Sequence, residues 1–158
     1  MTPSRARSPI GQRAVESIPS KRGENVSVVA AMTAQGIQAP MMLSGSMDGL
    51  AFESWITQAL IPILYKGMVV FLDNVNFHVG SRVRSLIEGV GCVLVYLPTY
   101  SPDLNAIEEA ISKMKDGLRR LKPRDTKALE SGLTRVFKSV SVTDVLGWIT
   151  HAGYKLIA

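Results

Sequence analysis

Two short apolar runs flank a helical segment in the middle of the chain and restrict its fold more than any other feature. The runs are Met68–Leu72 (MVVFL) and Cys92–Leu97 (CVLVYL), and the segment SRVRSLIEGVG between them begins at Ser81. A continuous apolar run of this length suits a strand that is buried on both faces, as in a parallel sheet covered by helices. A strand, a helix and a second strand at this spacing predict a βαβ unit.

The elements on either side of this unit extend an α/β pattern. Two β-prone runs, Val26–Met32 and Ile37–Leu43, are separated by Gln35-Gly36 and predict a hairpin. Apolar residues at helical spacing then predict four helices outside the βαβ unit: Leu50–Ile63 after an Asp48 cap, Ala106–Leu121, Thr126–Val140, and a last helix capped by Thr143. The order of elements predicts an α/β fold with a mixed sheet flanked by helices.

Length and composition indicate one ordinary globular domain. The chain has 158 residues, of which 46% are hydrophobic and 20% are charged. Its longest apolar runs fall far short of the roughly 20 residues that cross a bilayer, so we expect no membrane span and a cytoplasmic protein. Residues 1–24 predict an irregular basic arm ahead of a domain over residues 25–158. The single cysteine, Cys92, is interpreted as a small buried apolar residue.

Basic residues crowd the first segment of the chain and the segment that follows AIEEA, and they leave the stretch between nearly free of lysine and arginine. The formal net charge of +5 permits a polyanionic partner. Two solvated faces explain the same pattern, and the charge alone does not decide between these readings. The residues that we assign to DNA binding are Arg5, Arg7, Arg13, Lys113, Lys115, Arg119 and Arg120.

Two carboxylates are the candidates for chemistry. Asp73 follows the first buried strand, at the end of a parallel strand where ligands gather, although Asp and Asn also stop strands and begin turns. Glu108 lies three residues after Asn105, in the position of a capping box, where its carboxylate would bond to the backbone instead. Since 108 − 73 = 35, 34 residues separate the two acids, which is room for one helix and one neighbouring strand. Carboxylates paired across such a crevice can hold divalent metal ions that promote phosphodiester cleavage.

Around these acids, VVFLDNVNFH and LPTYSPDLNAIEEAISKMK resemble the catalytic core of mariner-type insertion-sequence transposases, which belong to the DDE superfamily and have a ribonuclease-H-like fold. The resemblance runs from about Arg5 to Tyr154. It implies that Asp73 is the second catalytic acid and Glu108 the third, with Mg²⁺ or Mn²⁺ as cofactor. The implied reaction is nicking at transposon ends and transfer of the freed 3′-hydroxyl into target DNA, carried out by paired copies of the enzyme.

Other residues of these motifs have weaker assignments. Asn74 and His78 could position phosphate or metal-bound water, and a strand-end Asn and a helix-entry His explain them as well. Four residues are expected to shape the loop that presents Glu108: Tyr100, Ser101, Pro102 and Asn105. A phosphate contact is open to Ser101 or to backbone amides. His151 is interpreted as a packing residue.

The first acid of a DDE triad has no counterpart at a strand end in this sequence. The segment RSPIGQR resembles the one that follows the first acid in family members, so we expect the chain to begin downstream of that acid and to lack the first, central strand. The expected result is a partial catalytic domain that is inactive alone.

Three origins of such a chain remain open: a second reading frame, a start codon assigned too late, and a decayed copy. An upstream-frame product could supply the missing strand. A non-catalytic DNA-binding remnant or regulator is the alternative function. A phosphatase or receiver-like domain is disfavoured, because FLDN lacks the acidic and lysine partners that such a site needs.

Overall fold

The structure is a computed structural model that describes residues 7–15, 25–74 and 80–155. In these ranges no helix is both long and apolar enough to cross a membrane. The strands are β1 (Val26–Thr33), β2 (Gly36–Ser44), β3 (Val69–Leu72) and β4 (Val93–Tyr96). The α-helices are α1 (Gly49–Trp55), α2 (Ser81–Gly89), α3 (Ile107–Leu121), α4 (Thr126–Lys138) and α5 (Val142–His151).

The strands form two separate pairs. Strands β1 and β2 make the predicted antiparallel hairpin, with a bulge between Val29 and Ala31. Strands β3 and β4 are parallel and in register from Val69 opposite Val93, which confirms the βαβ unit. The predicted mixed sheet is therefore divided into an antiparallel and a parallel part, and no strand within the described ranges joins them.

Both strand pairs pack against one layer of helices. The buried centre of this layer includes Phe52 and Trp55 of α1 and Ile87 of α2. The indole Nε1 of Trp55 donates to the Ala39 carbonyl at 2.7 Å, which ties α1 to the hairpin. Leu94 of β4 is buried in the same core. The hairpin and the parallel pair are thus held side by side by a common helical support.

The other face of the hairpin is covered by α4. Side chains alternate along a strand, so Ala39 packs on the α1 and α2 core while Pro40 and Met42 line a groove beside α4. Helix α4 also packs closely on α3: a Cβ placed on Gly117 would lie only 2.7 Å from the Val136 Cγ2 atom. Glycine at this position allows the two helices to approach each other.

Three details differ from the sequence-based expectations. The strand at Val69–Leu72 was predicted to be buried on both faces, but Val69 and Phe71 are 49% and 45% exposed because only the alternate residues reach the core. The predicted helix over 50–63 is α-helical only to Trp55 and continues as a π-helical turn and a 3₁₀ turn that contains Pro62. Thr143 is not the cap of α5. Ser141 caps that helix and forms a capping box with Asp144.

One cap prediction is confirmed. The Asp48 carboxylate accepts a hydrogen bond from the Ala51 N–H at 2.8 Å and so begins α1.

Candidate active site

The parallel strands β3 and β4 end level with each other. The Leu97 N–H, one residue past β4, donates to the Leu72 carbonyl at 2.8 Å. Asp73 directly follows Leu72 and is half-buried, and the next residue, Asn74, is exposed. Asp73 therefore lies where the prediction places it, at the carboxyl end of a parallel strand.

Glu108 follows the neighbouring strand through a loop and a 3₁₀ turn at Pro102–Leu104. Its N–H donates to the Asn105 carbonyl at 3.0 Å, and its side chain is exposed in the first turn of α3. The capping-box interpretation is wrong: Ala106 occupies the cap position, and among the described residues no side chain caps this helix. The backbone does not engage the Glu108 carboxylate as a cap, which leaves it available to a ligand.

Tyr154 connects the ends of these two segments, and the sequence reasoning missed it. Its ring lies 4.9 Å from the Phe71 ring between centroids, and its hydroxyl donates to the Leu104 carbonyl at 2.9 Å. Asp73 lies two residues after Phe71, directly past the end of β3. Tyr154 thus ties the turn before Glu108 to the strand that ends next to Asp73. No local pattern reveals this contact, because 45 residues separate Tyr154 from Glu108.

A shallow cavity of about 270 Å³ lies beside the first turn of α3. Glu108, Asn105 and Trp148 contribute to its wall, and Asp73 does not. His151 also lines it, with its Nδ1 atom 3.1 Å from the Glu109 Oε1 atom. The packing role predicted for His151 is wrong, because its side chain is 79% exposed and contacts Glu109.

The other predicted site residues are less directly engaged. Ser101 is half-buried, and its hydroxyl is 3.4 Å from the Thr99 carbonyl, in the loop that leads to Glu108. Asn105 is also half-buried. His78 and Arg5 lie outside the described residues.

The described residues offer the type of ligand atom that a hard divalent cation prefers, but they offer few such groups. Carboxylate oxygens are the ligands that Mg²⁺ and Mn²⁺ prefer, and Asp73 and Glu108 supply them. Within residues 7–15, 25–74 and 80–155, no group of three or more His, Cys, Asp or Glu side chains is placed to hold a metal ion. The described residues therefore contribute at most two side-chain acids to such a centre.

The basic residues of α3 fall into two groups. Lys113 is held by Asp144 at 2.7 Å, and this hydrogen bond, with those from Ser141, lowers the pKa of Asp144 to about 2. Arg119 pairs with Asp116 at 2.6 Å on the surface of the helix. The other two α3 residues that we assign to DNA binding, Lys115 and Arg120, are exposed. Arg7 and Arg13, in the described part of the arm, are also exposed.

Comparison with solved structures identifies the fold. The Mos1 strand transfer complex matches with a TM-score of 0.75 at 16% identity, over 94% of this chain and 46% of that one. The Mos1 mariner paired end complex with Mn matches with a TM-score of 0.73 at 16% identity, over 93% and 46%. The catalytic core domain of BIV integrase matches with a TM-score of 0.54 at 18% identity, over 82% and 90%. These neighbours give the chain a ribonuclease-H-like fold, and it spans about half the length of the Mos1 chains.

A curated protein and a family model also match the sequence. The large ribosomal subunit protein bL19c of Spinacia oleracea is 40% identical over 45 residues, which are 28% of this chain and 19% of that protein. This likeness is too short to carry an argument about function. The sequence model of the DDE superfamily endonucleases, by contrast, matches residues 1–130. Since that match covers most of the chain, the chain belongs to the DDE superfamily endonucleases.

Proposed function

We propose that this chain is the catalytic domain, or part of the catalytic domain, of a DNA transposase that cuts and joins DNA strands at the ends of an insertion sequence. The observation that carries the proposal is the level ending of β3 and β4, each followed by an acid that is at least partly accessible, Asp73 and Glu108. These acids would hold Mg²⁺ or Mn²⁺, which supplies charge stabilisation and an activated oxygen nucleophile when bound. Because its substrate is the DNA of an insertion sequence, we keep the expectation of a cytoplasmic protein.

Helix α3 supports DNA as the partner. Lys115 and Arg119 lie 7 and 11 residues after Glu108, which places all three on one face of an α-helix. Measured along the helix axis, Lys115 is about 10 Å and Arg119 about 16 Å from Glu108. A phosphate backbone that follows this face would reach the acid at the start of the helix. Arg7 and Arg13 of the arm add positive charge, and Asn74, His78, Ser101 and Asn105 would position phosphate or water near the acids.

The described part of the chain is proposed to be inactive alone, with its site completed by a further strand. The division of the sheet supports this part of the proposal, since β1–β2 and β3–β4 share a helical support without pairing with each other. An extended segment from an upstream-frame product, carrying the first acid of the triad at its end, would add both the missing strand and that acid. Such a complex would act as a pair of copies on two transposon ends.

The test combines metal binding with cleavage. Titration of Mn²⁺ followed by electron paramagnetic resonance should show a weak site in the wild-type chain that Asp73→Asn and Glu108→Gln each abolish. Glu130→Gln, which changes an exposed acid on α4, is the matched control and should bind as the wild type does. Nicking of transposon-end DNA should require the added upstream segment and both acids. Equal metal binding and equal cleavage by all the variants would overturn the assigned roles.

A DNA-binding regulator without catalysis is the second candidate. The observation in its favour is that the described residues supply two acids and not three. A regulator would bind transposon-end DNA equally well with and without chelator and would not cut it even when the upstream segment is added. A catalytic domain would cut under the same conditions only when the metal ion is present.

A further inference from the structure

Tyr100 has an unusual backbone and no packing contact that explains it. Its φ angle is +58°, in the left-handed region, and its side chain is completely exposed, at 101% of the reference area. Positive φ is uncommon for residues other than glycine, and for a bulky residue it is a real outlier. The folded chain therefore carries a strained aromatic residue that adds nothing to its core.

The two other described non-glycine residues with positive φ have local explanations. Lys122 adopts the left-handed conformation that commonly ends a helix, and its N–H donates to the Leu118 carbonyl at 2.9 Å. Ala39 lies in β2 of the hairpin, close to the irregularity in the strand register, and its carbonyl accepts the Trp55 bond. Tyr100 lies at neither a helix end nor a strand irregularity; it stands in a turn at residues 99–100, and its side chain extends into solvent.

The loop fixes where this ring is presented. On one side Leu97 is buried and bonded to the end of β3, next to Asp73. On the other side the Pro102–Leu104 turn is held by Tyr154 and leads into Glu108. Tyr100 thus extends from a loop that is anchored at both ends and runs between the segments that carry the two acids.

We infer that Tyr100 is a stacking platform for an unpaired nucleobase of the DNA strand that is cut or joined. The inference rests on the proposed function and adds to it a contact to a base. A tyrosine ring offers a flat π-face and loses few torsional degrees of freedom on binding, and base–aromatic stacking tolerates any sequence. An exposed ring on the loop that runs between the segments of the candidate metal ligands, in a chain with net charge +5, suits a base of a polyanion. Strain retained at such a point is typical of functional sites.

The experiment compares two labelled DNA duplexes, one blunt and one with a short single-stranded 3′ overhang, by fluorescence anisotropy on the full chain. Tyr100→Ala and Tyr100→Gly should weaken binding of the overhang duplex by about 5- to 150-fold, the loss expected for one base stack, and leave binding of the blunt duplex unchanged. Tyr100→Phe should retain the preference, because it keeps the π-face. Tyr65→Ala is the matched control: Tyr65 is 68% exposed and precedes β3, at the opposite end of the strand from Asp73.

A stability measurement separates a ligand contact from a structural role. Tyr100→Gly should unfold at the same urea concentration as the wild type or a higher one, since glycine relieves the positive φ, and it should still lose the overhang preference. Equal overhang binding by Tyr100→Ala and the wild type would overturn the inference and leave the proposed function intact. If Tyr100→Ala dissociated a dimer and left DNA binding unchanged, the ring would be a protein contact and the inference would also fail. A wild-type chain that bound neither duplex would overturn the proposed function and this inference together.

Discussion

Replacing Gly117 by alanine tests the close contact between α3 and α4. In an exposed helix interior, alanine is more favourable than glycine by about 1 kcal/mol, so helix propensity alone predicts that the variant is more stable. The added Cβ, however, would lie 2.7 Å from the Val136 Cγ2 atom and 3.1 Å from its Cγ1 atom. Carbon atoms pack best at roughly 3.5–4.0 Å, so the overlap is close to 1 Å.

This overlap has no easy relief. Val136 is 5% exposed, and its branched side chain has essentially one rotamer in a helix. The two helices must therefore separate. Overpacking of this kind costs about 1–3 kcal/mol, and we expect Gly117→Ala to lower the free energy of unfolding by about 1 kcal/mol after the propensity gain.

Urea denaturation gives the measurement, and Gly147→Ala gives the matched control. Gly147 also lies inside a helix, α5, but its added Cβ would meet nothing within 4 Å, so this variant should be stabilised by about 0.5–1 kcal/mol. The double variant Gly117→Ala, Val136→Ala should cost less than the sum of its single changes, with a coupling of about 0.5–3 kcal/mol, because the new methyl group fills space that the valine leaves. If Gly117→Ala were as stable as Gly147→Ala, the close packing of α3 on α4 would be refuted.

Three further outcomes are expected. Tyr154→Phe removes the hydroxyl that donates to Leu104 and should lower the free energy of unfolding by about 1 kcal/mol in urea, while an unchanged midpoint would show that this bond does not form in solution. The pKa of Asp144 is lowered from 3.8 to about 2, chiefly by the Lys113 hydrogen bond, so its contribution to stability is complete above about pH 4 and is lost as the pH falls toward 2. Asp144→Asn should therefore flatten the fall in melting temperature over that range, and a fall as steep as in the wild type would contradict the assignment. The Cys92 thiol is 5% exposed and 3.3 Å from the Tyr65 carbonyl, so a thiol reagent should modify it only as fast as the chain opens, and rapid labelling without urea would disagree with this burial.

Periodic apolar patterns determine the parts of the fold that were predictable. The hairpin and the βαβ unit follow from apolar runs bounded by turn residues, and Asp48 begins α1 by a local side-chain bond. The divided sheet and the exposed face of β3 were harder to predict, because the partners of a strand lie outside its own sequence. Exposure of Val69 and Phe71 depends on which other segments cover that face.

The candidate site, too, was predictable from the sequence only in part. Asp73 and Glu108 were found because acids at the ends of predicted strands and helices are visible in the sequence. The capping box predicted at Glu108 failed because the 3₁₀ turn before α3 moves the start of the helix to Ala106 as its cap. Tyr154 has no local sequence signal, since its role depends on a long-range contact. Tyr100 was expected only to shape the loop before Glu108, because its backbone angle is not visible in the sequence.

The contacts of Tyr154 also constrain the order in which the site is assembled during protein synthesis. Translation proceeds from the amino end, so Asp73 and Glu108 leave the ribosome before Tyr154 is joined to the chain. Until then neither the ring contact with Phe71 nor the bond to the Leu104 carbonyl exists. A nascent chain that already holds both acids would therefore lack the contact that fixes their segments together, and the arrangement described for the site can arise only after residue 154 has emerged.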